Sequence, residues 1–186
     1  MFSKALFLFF FISPTLSFDT INVNRNNVIK IENEITSSTS RNFLNKLNDR
    51  KHISNLYVFL NTPGGRVDEG MKIIREIKKY NISCIAEKAY SMGFAILQSC
   101  KKRYVTEFAS IMQHQMHFGV IDEHFRVNSY LSFISQISEE LDNMQSSRIG
   151  ISVDDYRKKI SNNWWLFSNN IINENCADEI VNLNFL

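Results

Sequence analysis

The sequence predicts an α/β fold, because short apolar runs alternate with amphipathic stretches along most of the chain. Residues 55–60 are apolar after the first and bounded by polar residues, which is typical of a buried parallel strand. Residues 68–80 follow with apolar side chains at helical spacing, and residues 82–86 form the next apolar run. A strand, a helix and another strand in this order indicate a right-handed β-α-β unit in a largely parallel sheet.

Further patterns extend this order of elements in both directions. Before this unit, the sequence predicts a short strand at 27–31, N-capping residues at 36–40, and a helix at 41–48 with one apolar face. After it, the sequence predicts a helix at 91–100, short strands at 103–106 and 110–114, a capped helix start at 152–156, a short helix at 168–175 that ends at Asn175, and a closing segment at 176–181.

Residues 123–146 form the longest predicted element. Apolar side chains recur through them at helical spacing, and they are more numerous than a single exposed helix face needs. Two interpretations follow. The helix packs on its own domain in the ordinary way, or it protrudes and packs against a second subunit.

Length and charge limit the classes of protein to consider. The chain has 186 residues and a formal net charge of +2. This length suits one domain with a sizeable core, and we predict a single domain over residues 19–186. A charge so close to zero gives no reason to expect a nucleic-acid partner.

Residues 1–18 carry a separate pattern. Lys4 precedes a continuous apolar run at 5–12, and polar residues and a proline at 13–18 interrupt it. The run is shorter than the ~20 residues that span a bilayer. The pattern is typical of a secretory signal peptide, which would place the mature protein outside the cytosol. The alternative is a hydrophobic N-terminal segment that docks on the domain or on a sister subunit of a cytoplasmic protein.

The chain contains Cys84, Cys100 and Cys176, with no close pair of the kind that binds zinc. Their odd number argues against a disulfide framework, so we expect three buried cysteines that behave as small apolar residues. Nothing in the sequence indicates a metal ion or an organic cofactor.

Three short segments carry residues suited to acyl-transfer chemistry. Residues 61–67 (Asn-Thr-Pro-Gly-Gly-Arg-Val) follow a strand, Ser91 follows the next strand at a helix start, and His114 ends a later strand. A serine hydroxyl becomes a good nucleophile when a base such as histidine removes its proton. The backbone N–H groups of Gly65 and Met92 are suited to form an oxyanion hole, because glycine and a helix start leave such donors accessible.

Each segment alone is common in proteins without this chemistry. A Ser-Met-Gly helix start is more often an N-cap, a Pro-Gly-Gly segment a turn, and a single histidine a structural residue. Their joint order and spacing indicate a nucleophile and its base. His117 is an alternative base, and a lysine base would come from Lys88, Lys101 or Lys102.

The chain resembles the Clp protease proteolytic subunit (ClpP) family from about residue 29 to residue 181. Residues 61–70 resemble the Asn-Ser-Pro-Gly-Gly segment of that family. Residues 89–93 (Ala-Tyr-Ser-Met-Gly) resemble its nucleophile motif, and residues 112–115 (Met-Gln-His-Gln) its Met-Ile-His-Gln base motif.

The resemblance implies a ClpP/crotonase-like fold with repeated β-α-β units and a long protruding helix. It also implies a Ser-His-Asp peptidase mechanism without a cofactor, peptide or unfolded protein substrates, and a homo-oligomeric ring. A partner unfoldase ATPase is implied as well, because the chain has no phosphate-binding loop of its own. The residues that would bind an extended substrate are Gly64, Gly65, Arg66 and Val67.

The chain departs from the family pattern at several positions. Counting back without gaps from Asp178 places Asn163 where the family has its catalytic Asp. An asparagine can orient an imidazole through its carbonyl oxygen, but it lacks the charge that stabilises the imidazolium, and this change can reduce the rate by about 10⁴. Glu87 replaces a glycine before the nucleophile, and Met116 replaces a proline after the base motif.

We therefore predict a serine endopeptidase in which Ser91, His114 and Asn163 form the catalytic group. The alternative is a catalytically silent ClpP-like subunit or scaffold with an impaired triad. A third hypothesis is a crotonase-like enzyme that acts on acyl-thioesters, which would leave the pairing of Ser91 with His114 without a purpose.

Overall fold

The computed structural model describes residues 18–186, which form a seven-stranded sheet flanked by helices. The strands are β1 (Asp19–Val23), β2 (Val28–Glu32), β3 (Tyr57–Thr62), β4 (Ser83–Tyr90), β5 (Arg103–Gln113), β6 (Trp164–Phe167) and β7 (Glu179–Phe185). The helices are α1 (Ser37–Arg50), α2 (Val67–Tyr80), α3 (Met92–Gln98), α4 (His124–Ile149), α5 (Val153–Ile160) and α6 (Asn169–Asn173). Residues 1–17 lie outside the described residues, so the signal peptide and the alternative docking segment stay predictions.

The sheet confirms the predicted α/β class. Its strand order is β1-β7-β5-β4-β3-β2, and β6 lies beside β5. All described pairings are parallel except that of β5 with β6. The alternating directions of side chains in β3 fill both faces of the sheet, since Val58 and Leu60 pack in the main core and Phe59 packs in a smaller cluster with Ile85. This burial on both faces explains the continuous apolar run.

Local signals mark three helix ends, although α1 begins at Ser37 rather than at the predicted residue 41. The Thr36 hydroxyl accepts the Thr39 N–H at the start of α1, and the Ser152 hydroxyl accepts the Asp155 N–H at the start of α5. Asn175 adopts a left-handed conformation with φ 52° after α6.

Two strands, β1 and β6, were not predicted, and β5 is one strand where two were expected. The pairing of β4 with β5 jumps from Ala86–Val105 to Lys88–Ser110. Four residues of β5 therefore bulge out between these pairs, and the sequence shows this irregularity as a gap between two short strands.

Helix α4 is packed on the domain only at its C-terminal end. Its buried residues are Asp142, Gln145, Ser146 and Ile149. Toward the N-terminus, Phe125 is 85% exposed and Phe133 is 55% exposed, whereas Ile134 is only partly buried. This arrangement agrees with the protruding helix rather than with ordinary packing. No helix among residues 18–186 is long and apolar enough to cross a membrane.

The expectation of three free cysteines is wrong. Cys84 on β4 and Cys100 after α3 form a disulfide, with their Cα atoms 5.8 Å apart. After β4 the chain turns back through α3, and this return brings Cys100 beside Cys84. The separation of 16 residues in the sequence does not by itself indicate that the two cysteines meet. Cys176 remains free, and its burial raises the pKa of the thiol to about 12.

A buried arginine fixes the end of α3 against the start of β5 and the segment before β7. Arg103 is 2% exposed, and Nη1 donates to the Gln98 side chain at 2.7 Å and to the Asn175 carbonyl at 2.8 Å. Its guanidinium also forms an ion pair with Asp178. Burial acts to raise the pKa of Asp178, but the hydrogen bonds and the charge of Arg103 outweigh it and lower the pKa.

Candidate active site

Ser91 occupies the sharp turn between β4 and α3. Its φ is 53° and its ψ is −116°, a conformation that a residue with a side chain rarely adopts. The Ser91 N–H donates to the Met112 carbonyl at 2.8 Å, and its own carbonyl accepts the N–H of Phe94 at 3.0 Å. The neighbouring strand and helix thus hold the serine in this strained turn.

The glycine-rich segment lies directly against this turn. A Cβ atom on Gly64 would come within 2.6 Å of the Tyr90 carbonyl oxygen and 2.8 Å of the Ser91 Cβ. Gly64 also has a φ of 95°, in the left-handed region. A residue with a side chain at this position would therefore push the segment away from the nucleophile.

Two backbone donors remain available beside Ser91. Ile35 pairs with the segment by donating to the Gly64 carbonyl at 2.7 Å and accepting the Arg66 N–H at 2.9 Å. The Gly65 N–H takes no part in this pairing and has no partner within residues 18–186. The Met92 N–H, at the first position of α3, is equally unpaired within that part of the chain. This is the donor pair that the sequence predicts for an oxyanion hole.

A cavity of about 210 Å³ collects most of the predicted site residues. Its lining includes Gly65, Val67, Ser91, Met92, His114, Met116 and His117. Gly64 and Arg66 do not line it. The Arg66 guanidinium forms an ion pair with Asp68 at 2.7 Å at the surface, which gives it no contact with the cavity.

His114 lies just after β5, and its ring is half-buried. Its Nδ1 lies 2.6 Å from the carbonyl oxygen of Gln115. The ring of His117 is 4.5 Å away, centroid to centroid, so the alternative base shares the cavity with the predicted one. Within the described chain, no hydrogen bond joins His114 to Ser91. Catalytic hydrogen bonds are often long in unliganded enzymes.

Asn163 directly precedes β6 and is exposed. The antiparallel register pairs Gln113 with Trp164, so the next step of the register places Asn163 opposite His114. No hydrogen bond joins the two side chains within residues 18–186, and Asn163 does not line the cavity. The backbone therefore brings the two residues to the same level without a side-chain contact.

The structure also gives the positions of Glu87, which departs from the family pattern, and of the lysines considered as alternative bases. Glu87 is the extra residue where the pairing of β3 with β4 jumps, and its carboxylate accepts a hydrogen bond from Asn61 at 2.9 Å. Lys88, Lys101 and Lys102 do not line the cavity with Ser91. In the described part of the chain, no three His, Cys, Asp or Glu side chains converge as a metal site.

Five polar residues of the cavity were missed by sequence reasoning. They are Gln113 on β5, Ser138, Asp142 and Gln145 on α4, and Tyr156 on α5. The buried positions at the end of α4 do follow helical spacing, but three of the four side chains, those of Asp142, Gln145 and Ser146, are polar. A search for apolar periodicity overlooks such a stripe.

Two comparisons with known proteins bear on the family of this chain. The family model described as Clp protease matches residues 17–184. The chain is also similar to the ATP-dependent Clp protease proteolytic subunit of Borrelia garinii subsp. bavariensis, with 24% identity over 131 residues, which is 68% of each chain. The match to the family model covers nearly all of the described residues, and this chain belongs to the Clp protease family.

Proposed function

We propose that this member of a peptidase family is a serine endopeptidase in which Ser91 is the nucleophile. The observation that carries the proposal is the strained turn at Ser91 beside two unpaired backbone N–H groups, all in one cavity with His114. Ser91 is not explained as a helix cap, because its side chain makes no cap hydrogen bond within residues 18–186.

The mechanism follows from the positions of these groups. The Ser91 hydroxyl attacks the carbonyl carbon of the substrate peptide bond while His114 takes the hydroxyl proton. The developing oxyanion accepts hydrogen bonds from the N–H groups of Gly65 and Met92, and one such donor is worth about 3 kcal/mol in related sites. His114 then gives the proton to the leaving amine, and water hydrolyses the acyl-enzyme by the same route.

The third member of the catalytic group is proposed to be Asn163, from its place opposite His114. The contact that His114 makes in the described chain is the one between its Nδ1 and the Gln115 carbonyl. A carbonyl that accepts a hydrogen bond from Nδ1–H keeps the proton on Nδ1 and leaves Nε2 free to act as a base. Either oxygen can therefore select the active tautomer, although neither supplies the negative charge of a carboxylate.

Substrate would lie as an extended strand beside the glycine-rich segment. Ile35 already occupies the edge formed by the Gly64 carbonyl and the Arg66 N–H. The groups left for substrate are therefore those of Gly65 and Val67, both of which line the cavity.

We also propose assembly into a homo-oligomeric ring that receives unfolded protein from an ATPase partner. The exposed apolar side chains of α4, such as Phe125 and Phe133, are suited to contacts between subunits. The similar Borrelia protein is named as the proteolytic subunit of an ATP-dependent Clp protease.

Intact-mass analysis after treatment with a fluorophosphonate tests the nucleophile. We expect one adduct per chain, which is lost in Ser91→Ala and retained in Ser132→Ala, a control on the exposed part of α4. An adduct that persists in Ser91→Ala would refute the assignment of the nucleophile.

A second candidate is a catalytically silent subunit. It is favoured by the neutral Asn163 and by the absence, within the described residues, of a hydrogen bond between Ser91 and His114. It predicts a folded, assembled protein that gives no adduct and no peptide hydrolysis.

A further inference from the structure

The connection between α2 and β4 carries an Asn-X-Ser sequon. Asn81, Ile82 and Ser83 have the order that N-linked glycosylation requires, and no other asparagine of the chain begins such a sequon. A pattern of three residues arises easily by chance, so its place in the fold decides what it means. The sequence predicts a buried strand at 82–86, which would hide an acceptor inside it.

The structure places Asn81 outside that strand. Helix α2 ends at Tyr80 and β4 begins at Ser83, and Asn81 is exposed on the turn between them. Its φ is 53° and its ψ is 49°, a left-handed conformation that turns the chain away from the helix. Surface turns of this kind are where glycosylated asparagines lie in secreted proteins.

The structural role of Asn81 does not use its side chain. Asparagine tolerates the left-handed conformation better than most residues, which explains its presence at the end of α2. The bond that closes the helix comes from the backbone, since the Asn81 N–H donates to the Lys78 carbonyl at 3.3 Å. Within residues 18–186, neither the Asn81 amide nor the Ser83 hydroxyl has a side-chain hydrogen bond, so both polar groups of the sequon are available.

The surface beside Asn81 has room for a sugar. An open groove of about 970 Å³ lies between the C-terminal parts of α2, α3 and α4, and Asn81 is part of its wall. An oligosaccharide is bulky and polar, so it can lie in such a groove without displacing packed apolar side chains. The polar residues along the groove include Lys78, Ser99, Lys101, Glu140, Asn143 and Ser147.

The disulfide gives an independent indication of the compartment. Cys84 directly follows the sequon and is bonded to Cys100. Disulfides form and persist in secreted proteins and in the lumen of the secretory pathway, and they are rare in the cytosol. The predicted signal peptide at residues 1–18 indicates the same route. N-linked glycosylation takes place on that route, so the acceptor and the compartment agree.

We propose that Asn81 is an N-glycosylation site. The donor is an oligosaccharide linked to a lipid diphosphate, and an oligosaccharyltransferase of the secretory pathway catalyses the transfer. Asn81 Nδ2 forms a bond to the anomeric carbon of the first sugar while the bond from that carbon to the diphosphate oxygen breaks. The amide gives up one of its two protons to a base of the transferase, and the lipid diphosphate leaves with the electron pair. This inference goes beyond the proposed peptidase function.

The test expresses the full chain of 186 residues in insect cells, which glycosylate secreted proteins. We expect an intact mass above that of the polypeptide, and peptide N-glycosidase should remove the excess and convert the Asn81 side chain to a carboxylate. Peptide mapping then locates the converted residue. Unmodified Asn81 in the protein from these cells, either secreted or retained in the cytosol, would overturn the inference.

Two variants remove the sequon without disturbing the turn. Ser83→Ala keeps Asn81 and the end of α2, and Asn81→Gly keeps the left-handed conformation, which glycine adopts freely. We expect the glycan to be lost in both variants. The matched control is Ser83→Thr, which preserves the sequon and should remain glycosylated. A glycan that persists in either of the first two variants would overturn the assignment of the site.

The result does not depend on catalysis. Ser91→Ala should carry the same glycan, because the modification needs the turn at Asn81 and not the peptidase site. Glycosylation without fluorophosphonate labelling would refute only the proposed function. Labelling at Ser91 in a chain whose Asn81 stays unmodified would refute only this inference.

Discussion

The disulfide between Cys84 and Cys100 closes a loop that carries the proposed nucleophile at its tip. Cys84 lies near the start of β4 and Cys100 just beyond α3, while Ser91 lies at the turn between these two elements. Both cysteines are buried, at 0% and 3% exposure. The bond therefore joins the two arms of the strand-turn-helix unit at the end away from Ser91.

The loop length sets the expected effect of breaking the bond. The two cysteines are 16 residues apart, and a closed loop of about 15 residues contributes about 3 kcal/mol by restricting the unfolded chain. For a chain of this size, that loss corresponds to a fall in Tm of roughly 6–12 °C. The native unit should change less, because α3 is buried along its whole length.

The assay is urea unfolding of wild-type protein with and without a reductant, with mass analysis of alkylated thiols to verify cleavage of the bond. We expect reduction to lower the free energy of unfolding by about 3 kcal/mol. The double variant Cys84→Ala/Cys100→Ala should lose this response, and Cys176→Ala should keep it because Cys176 is not bonded. Unchanged stability after verified reduction would refute the reasoning, as would three free thiols in protein made under oxidising conditions.

Three further predictions concern the site and its support. Gly64→Ala should lower the free energy of unfolding by about 1–3 kcal/mol, because the new Cβ would lie 2.6 Å from the Tyr90 carbonyl oxygen. It should also abolish fluorophosphonate labelling of Ser91, and normal labelling would contradict this prediction. Hydrogen bonds from Ser40 and Lys72 lower the pKa of Glu69 from 4.5 to about 2. The stability that these bonds give the folded protein should therefore be lost as the pH falls from about 4.5 to 2. The urea midpoint of unfolding should fall less over this pH range in Glu69→Gln than in the wild-type protein. Asn163→Asp should raise peptidase kcat by more than tenfold, toward the ~10⁴ effect of a catalytic carboxylate, and an unchanged kcat would place residue 163 outside the catalytic group.

The sequence predicted those parts of the fold that local patterns encode. Strands β3 and β4 are buried on both faces and therefore read as apolar runs, and α2 shows a regular apolar face. The helix caps at Thr36 and Ser152 depend on hydrogen bonds between residues three positions apart, so the capping residues could be predicted from the local sequence.

The missed elements depend on contacts between distant residues. Strand β6 has four residues and two tryptophans, and it is defined by its antiparallel pairing with β5. Strand β1 lies at an edge of the sheet, mostly exposed, and it is defined by its parallel pairing with β7. The disulfide belongs to the same class, because only the return of α3 beside β4 brings Cys84 and Cys100 together.

The candidate site shows the same division between local and distant signals. Ser91, the glycine-rich segment and His114 were predictable because each lies in a short motif at the end of a strand. The contact of the His114 ring was not predictable, because its partner is the backbone carbonyl of Gln115. Every residue type has such a carbonyl, so the sequence carries no signal for this contact. With Nδ1 donating to this carbonyl, the imidazole keeps a basic Nε2 even where Asn163 gives no charge. The carbonyl cannot stabilise the imidazolium as a carboxylate would, so the proposed enzyme should reach one adduct per chain but show both slow labelling and slow turnover.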